Sequence, residues 1–530
     1  MEPIIKETYN KESLNFLEKY FAYFSKEDRH IKDNNEQVIS SALIYEKIRI
    51  QLEYQEEHLI FKNAIARILL RKYILSPAIT PEGLVSDLLN ELAWADYLNP
   101  EAISKNESSK LKKICGRYLI ILNNLKSKTY KNYELHRTIT SLMSCEIDEI
   151  LNPEPEKAEL VDYATDILLL GLNTRGAKMS AAETRMQVKV SVFTHLFKPD
   201  ASLVRYQFLK NIYPSWKIAS EEQSEKIGIH FDKYFEKVED ALNHKERIKI
   251  ARYVKKKIAP FILIKDIPVS EKFDSSLALQ DIDELINLAM NRYDALILST
   301  RQKVWIGTIR ALIFIFITKI SLAFMLEIPF DRYLTGKIDF FSLGINIYLP
   351  TFLMLLAGTF VKSPSKRNRE VVEVSLNNIL KYGKIDESIF YLSMKNNYFL
   401  DTFFNIFYSF FSLGVLIGAV KVLLYLKFNI LSIGLFFLFV SAVSFLAFRI
   451  RNMALELAML QARDNVIVSV LEFVFLPFIK IGKYFSDRLT RSNPLILALD
   501  FLIEAPLKTI IKIVNSWLRF LRAKKEEIDF

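Results

Sequence analysis

A chain of 530 residues is long enough for several domains, and 51% of it is hydrophobic. Only 14 Gly and 16 Pro, against abundant Leu, Ile, Lys and Glu, exclude a turn-rich β architecture and favour helix. The formal net charge of +10 admits nucleic acid or an anionic membrane surface as partner. No RNA-recognition motif, zinc finger or Gly-rich basic segment is present, and the basic groups flank apolar runs, so the membrane surface is favoured and nucleic acid is not.

In chain order, the first twenty residues lack a basic stretch followed by an apolar one, so no cleaved signal peptide is expected. Residues 34–75 contain no Pro or Gly and carry Ile39, Leu43, Ile48, Leu52, Leu59, Ile65 and Leu69 four to seven positions apart, which reads as a long helix. Thr80-Pro81-Glu82 opens the next, with an N-cap and a proline at the first helical position. Further helices are predicted at about 108–124, 130–151, 157–172, 180–197, 221–242, 245–258 and 276–298, with turns at 152–156, 173–176 and 198–202. Residues 1–300 thus read as an all-α cytosolic helical module.

That module shows no catalytic, metal or cofactor signature. Cys115 and Cys145 sit in no CxxC or Cys/His arrangement, which points to buried reduced thiols. His58 follows Glu53, Glu56 and Glu57 but lacks the Glu-x-x-His spacing of a di-iron bundle. His230 and Asp232 have no visible third partner. The glycines of GLNTRGAKMS (171–180) lack phosphate-loop spacing, and GxSxG, HExxH and GxxxxGK[ST] are absent.

At about residue 300 the pattern changes to long, nearly uncharged runs. Four meet the ~20-residue length of a membrane helix: 304–326, 340–361, 403–426 and 428–448, the last two joined by a tight hairpin at Lys427. Residues 301–450 therefore read as a polytopic membrane domain. The link 362–402 carries Lys362, Lys366, Arg367, Arg369, Lys381, Lys384 and Lys395, and Arg449 and Arg451 follow the fourth run. The loop between the first two runs has only Arg332 and Lys337 beside Glu327, Asp331 and Asp339. The positive-inside rule then puts both termini and the 362–402 loop in the cytosol, in a membrane of the bacterial inner or plasma type.

Charges inside such runs are where function is sought. Arg310 and Lys319 are nine residues apart and so face opposite sides of one helix. For Lys319 the readings are an ion or solute path, snorkelling, or a structural pair with Glu327. Gly414 and Gly418 make a GxxxG pair suited to helix packing, and Pro350 would kink the second run.

Residues 451–530 form a C-terminal amphipathic region. Residues 463–482 are apolar but short, with Glu472 and Pro477. In 497–521, Asp500, Glu504, Lys508, Lys512 and Arg519 fall in one arc of about 120° at 100° per residue, with Leu, Ile, Val, Phe and Trp opposite. Such a stripe describes a helix lying at the cytosolic interface, the alternative being a fifth and sixth span. Taken together the expectation is a membrane-anchored interaction or scaffolding protein, with anionic lipid head groups and a cytosolic protein as partners. The competing classes are an oligomeric transporter or channel for an anionic solute, and a lipid-acting enzyme, for which no convergent His, Asp or Ser is found.

Overall fold

The computed structural model describes residues 9–25, 59–76, 78–94, 97–98, 103–125, 131–174, 179–269, 279–335, 340–361, 364–385, 390–391, 398–460 and 466–491. The fold is essentially all-α, and the chain divides into two compact units. The stripe of Asp500, Glu504, Lys508, Lys512 and Arg519 lies outside the described residues, as do His58 and the acidic residues before it.

One unit comprises Glu18–Leu169, Lys178–Val254 and Asn493–Phe530. Its described helices are α2 (Ile60–Leu75), α3 (Pro81–Trp94), α4 (Lys105–Asn123), α5 (Lys131–Leu151), α6 (Pro155–Leu170), α7 (Ala181–Phe197), α8 (Ala201–Ile212), α9 (Glu221–Ile229), α10 (Phe231–Asn243) and most of α11 (Arg247–Lys257); α1 (Lys11–Ser25) is shared between the units. Local chemistry sets their starts. Ser104 with Glu107, Ser180 with Glu183 and Ser220 with Gln223 form reciprocal capping boxes, each satisfying otherwise orphaned N–H groups. Asp200 caps α8, a helix that the sequence reading passed over as a turn and its sequel. The single helix expected at 221–242 is two, because His230 leaves helical geometry at φ −118°. The core of this unit is one continuous cluster running from Ala64 through Leu88, Leu111, Tyr118, Ile139 and Phe208 to Val238.

The other unit comprises Met1–Leu17, Leu170–Ala177 and Lys255–Ser492. It contains α12 (Ala259–Asp266), α13 (Ile282–Leu322), α14 (Ile328–Thr335), α15 (Phe340–Phe360), α16 (Lys366–Tyr382), α17 (Tyr398–Tyr425), α18 (Ile430–Ala454) and α19 (Val466–Arg491). A π turn at Ala323–Glu327 joins α13 to α14, so that Ile282–Tyr333 is one helical run of 52 residues. The change of composition near residue 300 therefore falls inside a continuous helix. Two short strands, β1 (Leu172–Asn173) and β2 (Phe390–Tyr391), pair in parallel.

Four of these helices are long and apolar enough to cross a membrane: Ile282–Tyr333, Phe340–Thr359, Thr402–Tyr425 and Ile430–Ala454. Their burial pattern is inverted relative to a water-soluble core. Phe314, Phe324, Phe403, Phe404, Phe407 and Phe410 are exposed, whereas Lys319, Glu327, Asn346, Ser432 and Ser441 are buried. Apolar solvent would favour the first set outside and require the second to be satisfied within. At the connection between α17 and α18, Lys427 takes a left-handed conformation at φ 60°, which reverses the chain in a few residues. Pro350 is accommodated within α15.

Close helix approach in this unit rests on two glycines that the sequence reading did not single out. A side chain at Gly358 on α15 would overlap Thr308 on α13, and one at Gly482 on α19 would overlap the Ser441 carbonyl on α18. At Gly414 and Gly418, by contrast, a Cβ would meet nothing within 4 Å.

Below the apolar helices, α16 is clamped by Asn368. Its Nδ2 donates to Tyr293 Oη of α13 at 2.9 Å and to the Leu457 carbonyl at 2.9 Å. Its Oδ1 accepts from the backbone N–H groups of Met459 at 2.8 Å and Leu460 at 3.0 Å. Asn10 N–H donates to the Leu380 carbonyl at 2.8 Å and Ser13 Oγ to the Ile379 carbonyl at 2.9 Å, fastening the start of α1 to the end of α16.

Candidate functional site

The polar centre of the apolar helices is built on α13, the π turn, α15 and α18. Lys319 and Glu327 are both fully buried, and Lys319 Nζ donates to Glu327 Oε1 at 2.9 Å. Glu327 Oε2 accepts from Asn346 Nδ2 of α15 at 2.6 Å and from Ser432 Oγ of α18 at 3.3 Å. The Lys319 ammonium also stands over the Phe439 ring, 4.9 Å from its centroid, a cation–π contact. One step further out, Asn429 caps α18, accepting from Ser432 N–H at 2.7 Å, while its Nδ2 donates to Asp331 of α14. Three helical runs thus meet at one carboxylate.

The π turn explains how residues eight positions apart come together. In a regular α-helix they would differ by about 80° in direction. One extra residue absorbed in a wide turn reduces the effective separation to about seven, or two turns less about 20°. Glu327 therefore returns to the face of Lys319.

Chemically, the network is an internally neutralised ion pair whose carboxylate lone pairs are used by amide, hydroxyl and ammonium donors. Charge-assisted bonds of this kind are the strong ones where water is excluded. Asn346 keeps one buried acceptor, Oδ1, without a hydrogen-bond partner. Arg310 is not part of this centre: it lies on α13 with its side chain exposed. An open apolar groove between α13 and α15, lined by Leu312, Ile345, Tyr348, Leu349, Phe352 and Leu355, contains none of these charges.

The helical unit has its own buried polar groups. Glu146 on α5 pairs with Arg117 on α4, both buried, and accepts from Tyr118 Oη at 3.1 Å. Trp216 Nε1 donates to that same Tyr118 Oη at 3.0 Å. Lys62 on α2, also buried, pairs with the α8 cap Asp200. Glu149 accepts from Tyr206 Oη at 3.1 Å and pairs with Lys210 and Lys217. Burial pushes Glu149 up, but those two lysines outweigh it and hold the carboxyl below its ordinary range. Asp148, next in sequence, is pushed up to about 7 by burial and by the neighbouring Glu154 carboxylate. Cys115 and Cys145 are both free and buried; burial pushes the Cys115 thiol up to about 12 and the Cys145 thiol higher still. Neither has the thiolate character of a nucleophile. His230 ends α9 and Asp232 lies in the first turn of α10. Among the described residues no three His, Cys, Asp or Glu side chains gather as a metal site.

Fold and site together define an essentially all-α protein with, among the described residues, four helices long and apolar enough to cross a membrane and a buried Lys–Glu centre between them. Comparison with protein-family models, with curated proteins and with solved structures finds no match for the chain.

Proposed function

We propose that this is a polytopic integral membrane protein that presents its helical unit at the cytosolic face of the membrane as an interaction or scaffolding platform for a protein partner. The observation that carries this reading is the state of Lys319. Its charge is taken up by Glu327, itself held by Asn346 and Ser432, so the core cation holds helices together and is not free for a passing solute. Exposed Arg301, Lys303, Lys366 and Arg367 flank the apolar helices and suit anionic head groups. The partner surface is on the helical unit, where Ile218 and Ile248 are exposed apolar residues.

The test is photo-crosslinking from Ile218 and Ile248 in intact membranes of the source cells. A discrete protein adduct is expected. Absence of any adduct, together with protein-dependent anion uptake into vesicles that Lys319→Leu abolishes, would sink the reading. A second reading, an oligomeric transporter or channel for an anionic solute, is favoured by Lys421, Lys480 and Lys483, all exposed on the helices α17 and α19.

A further inference from the structure

Where the apolar stretch of α13 begins, those of α15 and α18 end, and a cleft opens between the three. Thr300, Arg301 and Val304 line it from α13, Val361 and Pro364 from the chain just after α15, and Ala454 from the end of α18. Arg301 is the one ionised residue in that lining, and Thr300 adds a hydroxyl donor. The cavity measures about 20 Å³, room for a single water-sized group. A soluble metabolite does not fit inside. An occupant can seat one oxygen there and must keep its bulk outside.

The charge around the cleft is positive and unspent. Arg301 is exposed and forms no ion pair among the described residues. The same holds for Lys366 and Arg367, two and three residues beyond Pro364 at the start of α16. Asp294 and Glu373 are both taken up by Arg369. Exposed Glu370 is the one acid to set against the three cations. The outer flank is apolar. Trp305 and Ile309 are exposed on α13, one and two turns beyond Arg301 and within about 80° of its direction. An exposed indole at the start of an apolar run suits the level of the head groups. A free inorganic anion gains nothing from that flank, whereas a phospholipid carries both a phosphate and chains to lay along it. Basic clefts between membrane helices on the cytosolic side suit anionic head groups.

We propose that this cleft is a specific site for one anionic phospholipid, with a phosphate oxygen seated against Arg301 and Thr300 and the acyl chains running along Trp305 and Ile309. The site rests on the membrane reading above, in which the cleft stands at the cytosolic level. It replaces a diffuse attraction for head groups by one defined lipid.

The experiment titrates the purified full-length protein, in neutral detergent, with dioleoyl phosphatidylglycerol, dioleoyl phosphatidylcholine or sodium phosphate at constant ionic strength. The unfolding temperature is read, and bound lipid is counted by native mass spectrometry. The phosphatidylglycerol should raise the unfolding temperature saturably, with one lipid retained per chain, and the other two should not. Arg301→Gln should weaken that response at least tenfold. Lys303→Gln, the same charge change about 200° around the helix, should leave it unchanged. Should Arg301→Gln fail to fold, the Lys366→Gln/Arg367→Gln double variant decides, with a weakening of at least threefold expected. Equal responses to the two lipids, an equal response to phosphate, or equal losses in the deciding variant and Lys303→Gln overturn the site. A protein that stays in solution without detergent overturns the membrane reading itself; a detergent-dependent protein with no lipid preference overturns the site alone.

Discussion

Lys319 and Glu327 form a fully buried ion pair at 2.9 Å across a single π turn, with both residues on one continuous helical run. Because each is the other's charge partner in a low-dielectric setting, removing one strands the other. Glu327→Gln or Lys319→Met alone should cost about 3–5 kcal/mol. The double variant Lys319→Met/Glu327→Leu should cost clearly less than the sum, since neither charge then remains. Detergent-solubilised thermal or denaturant unfolding of the three variants checks this; additive losses would show that the pair is not coupled.

The π turn makes a second, geometric prediction. Deleting exposed Met325 removes the extra residue and restores α-helical register, leaving Lys319 and Glu327 on nearly the same face. Inserting one alanine after Met325 instead turns Glu327 away by about 100°. The insertion should be markedly more destabilising than the deletion. Equal unfolding temperatures for the two variants would contradict the role given to the turn.

Glycine positions separate close contact from open surface. Gly358→Ala and Gly482→Ala place a methyl into Thr308 and the Ser441 carbonyl, so each should destabilise by about 1–3 kcal/mol. Gly414→Ala and Gly418→Ala meet nothing within 4 Å and should be neutral or gain up to about 1 kcal/mol from helix propensity. Unfolding of monomeric protein measures the contrast.

Asn368 joins α16, Tyr293 and the 457–460 segment through four hydrogen bonds. Asn368→Ala removes the partner of the Tyr293 hydroxyl, the Leu457 carbonyl and the Met459 and Leu460 N–H groups and should cost about 2–4 kcal/mol. Limited proteolysis should then cut more quickly within 364–385; an unchanged cleavage rate would argue that the clamp contributes little.

Asp148 titrates near 7 when folded and near its ordinary value, about 4, when unfolded. Its folded pKa is raised, so the folded state holds a proton that the unfolded chain releases between about pH 4 and 7. Stability from this group is present below pH 4 and falls as pH rises to about 7. Asp148→Asn mimics the protonated form. It should match the wild type near pH 4 and exceed it at pH 8, by about 2 kcal/mol after allowance for partial exposure. Parallel unfolding curves across that range test the sign.

Composition and spacing alone determined the all-α class, the four apolar helices and the opposite facing of Arg310 and Lys319, because these follow from helical period and from the length that an apolar run must have. The same residues also announced Lys319 and Glu327 as the polar groups to watch. Tertiary structure decided what those groups meet. No local pattern places Asn346 and Ser432, 19 and 105 positions from Glu327, on its carboxylate, and the register that brings Glu327 back to Lys319 depends on a π turn that carries no sequence signal. Helix α19 makes the same point: its charges kept it out of the apolar set, and only packing of Gly482 against Ser441 laid it along α18. Period is a property of neighbours along the chain, whereas which side chains share a buried site depends on how distant helices pack.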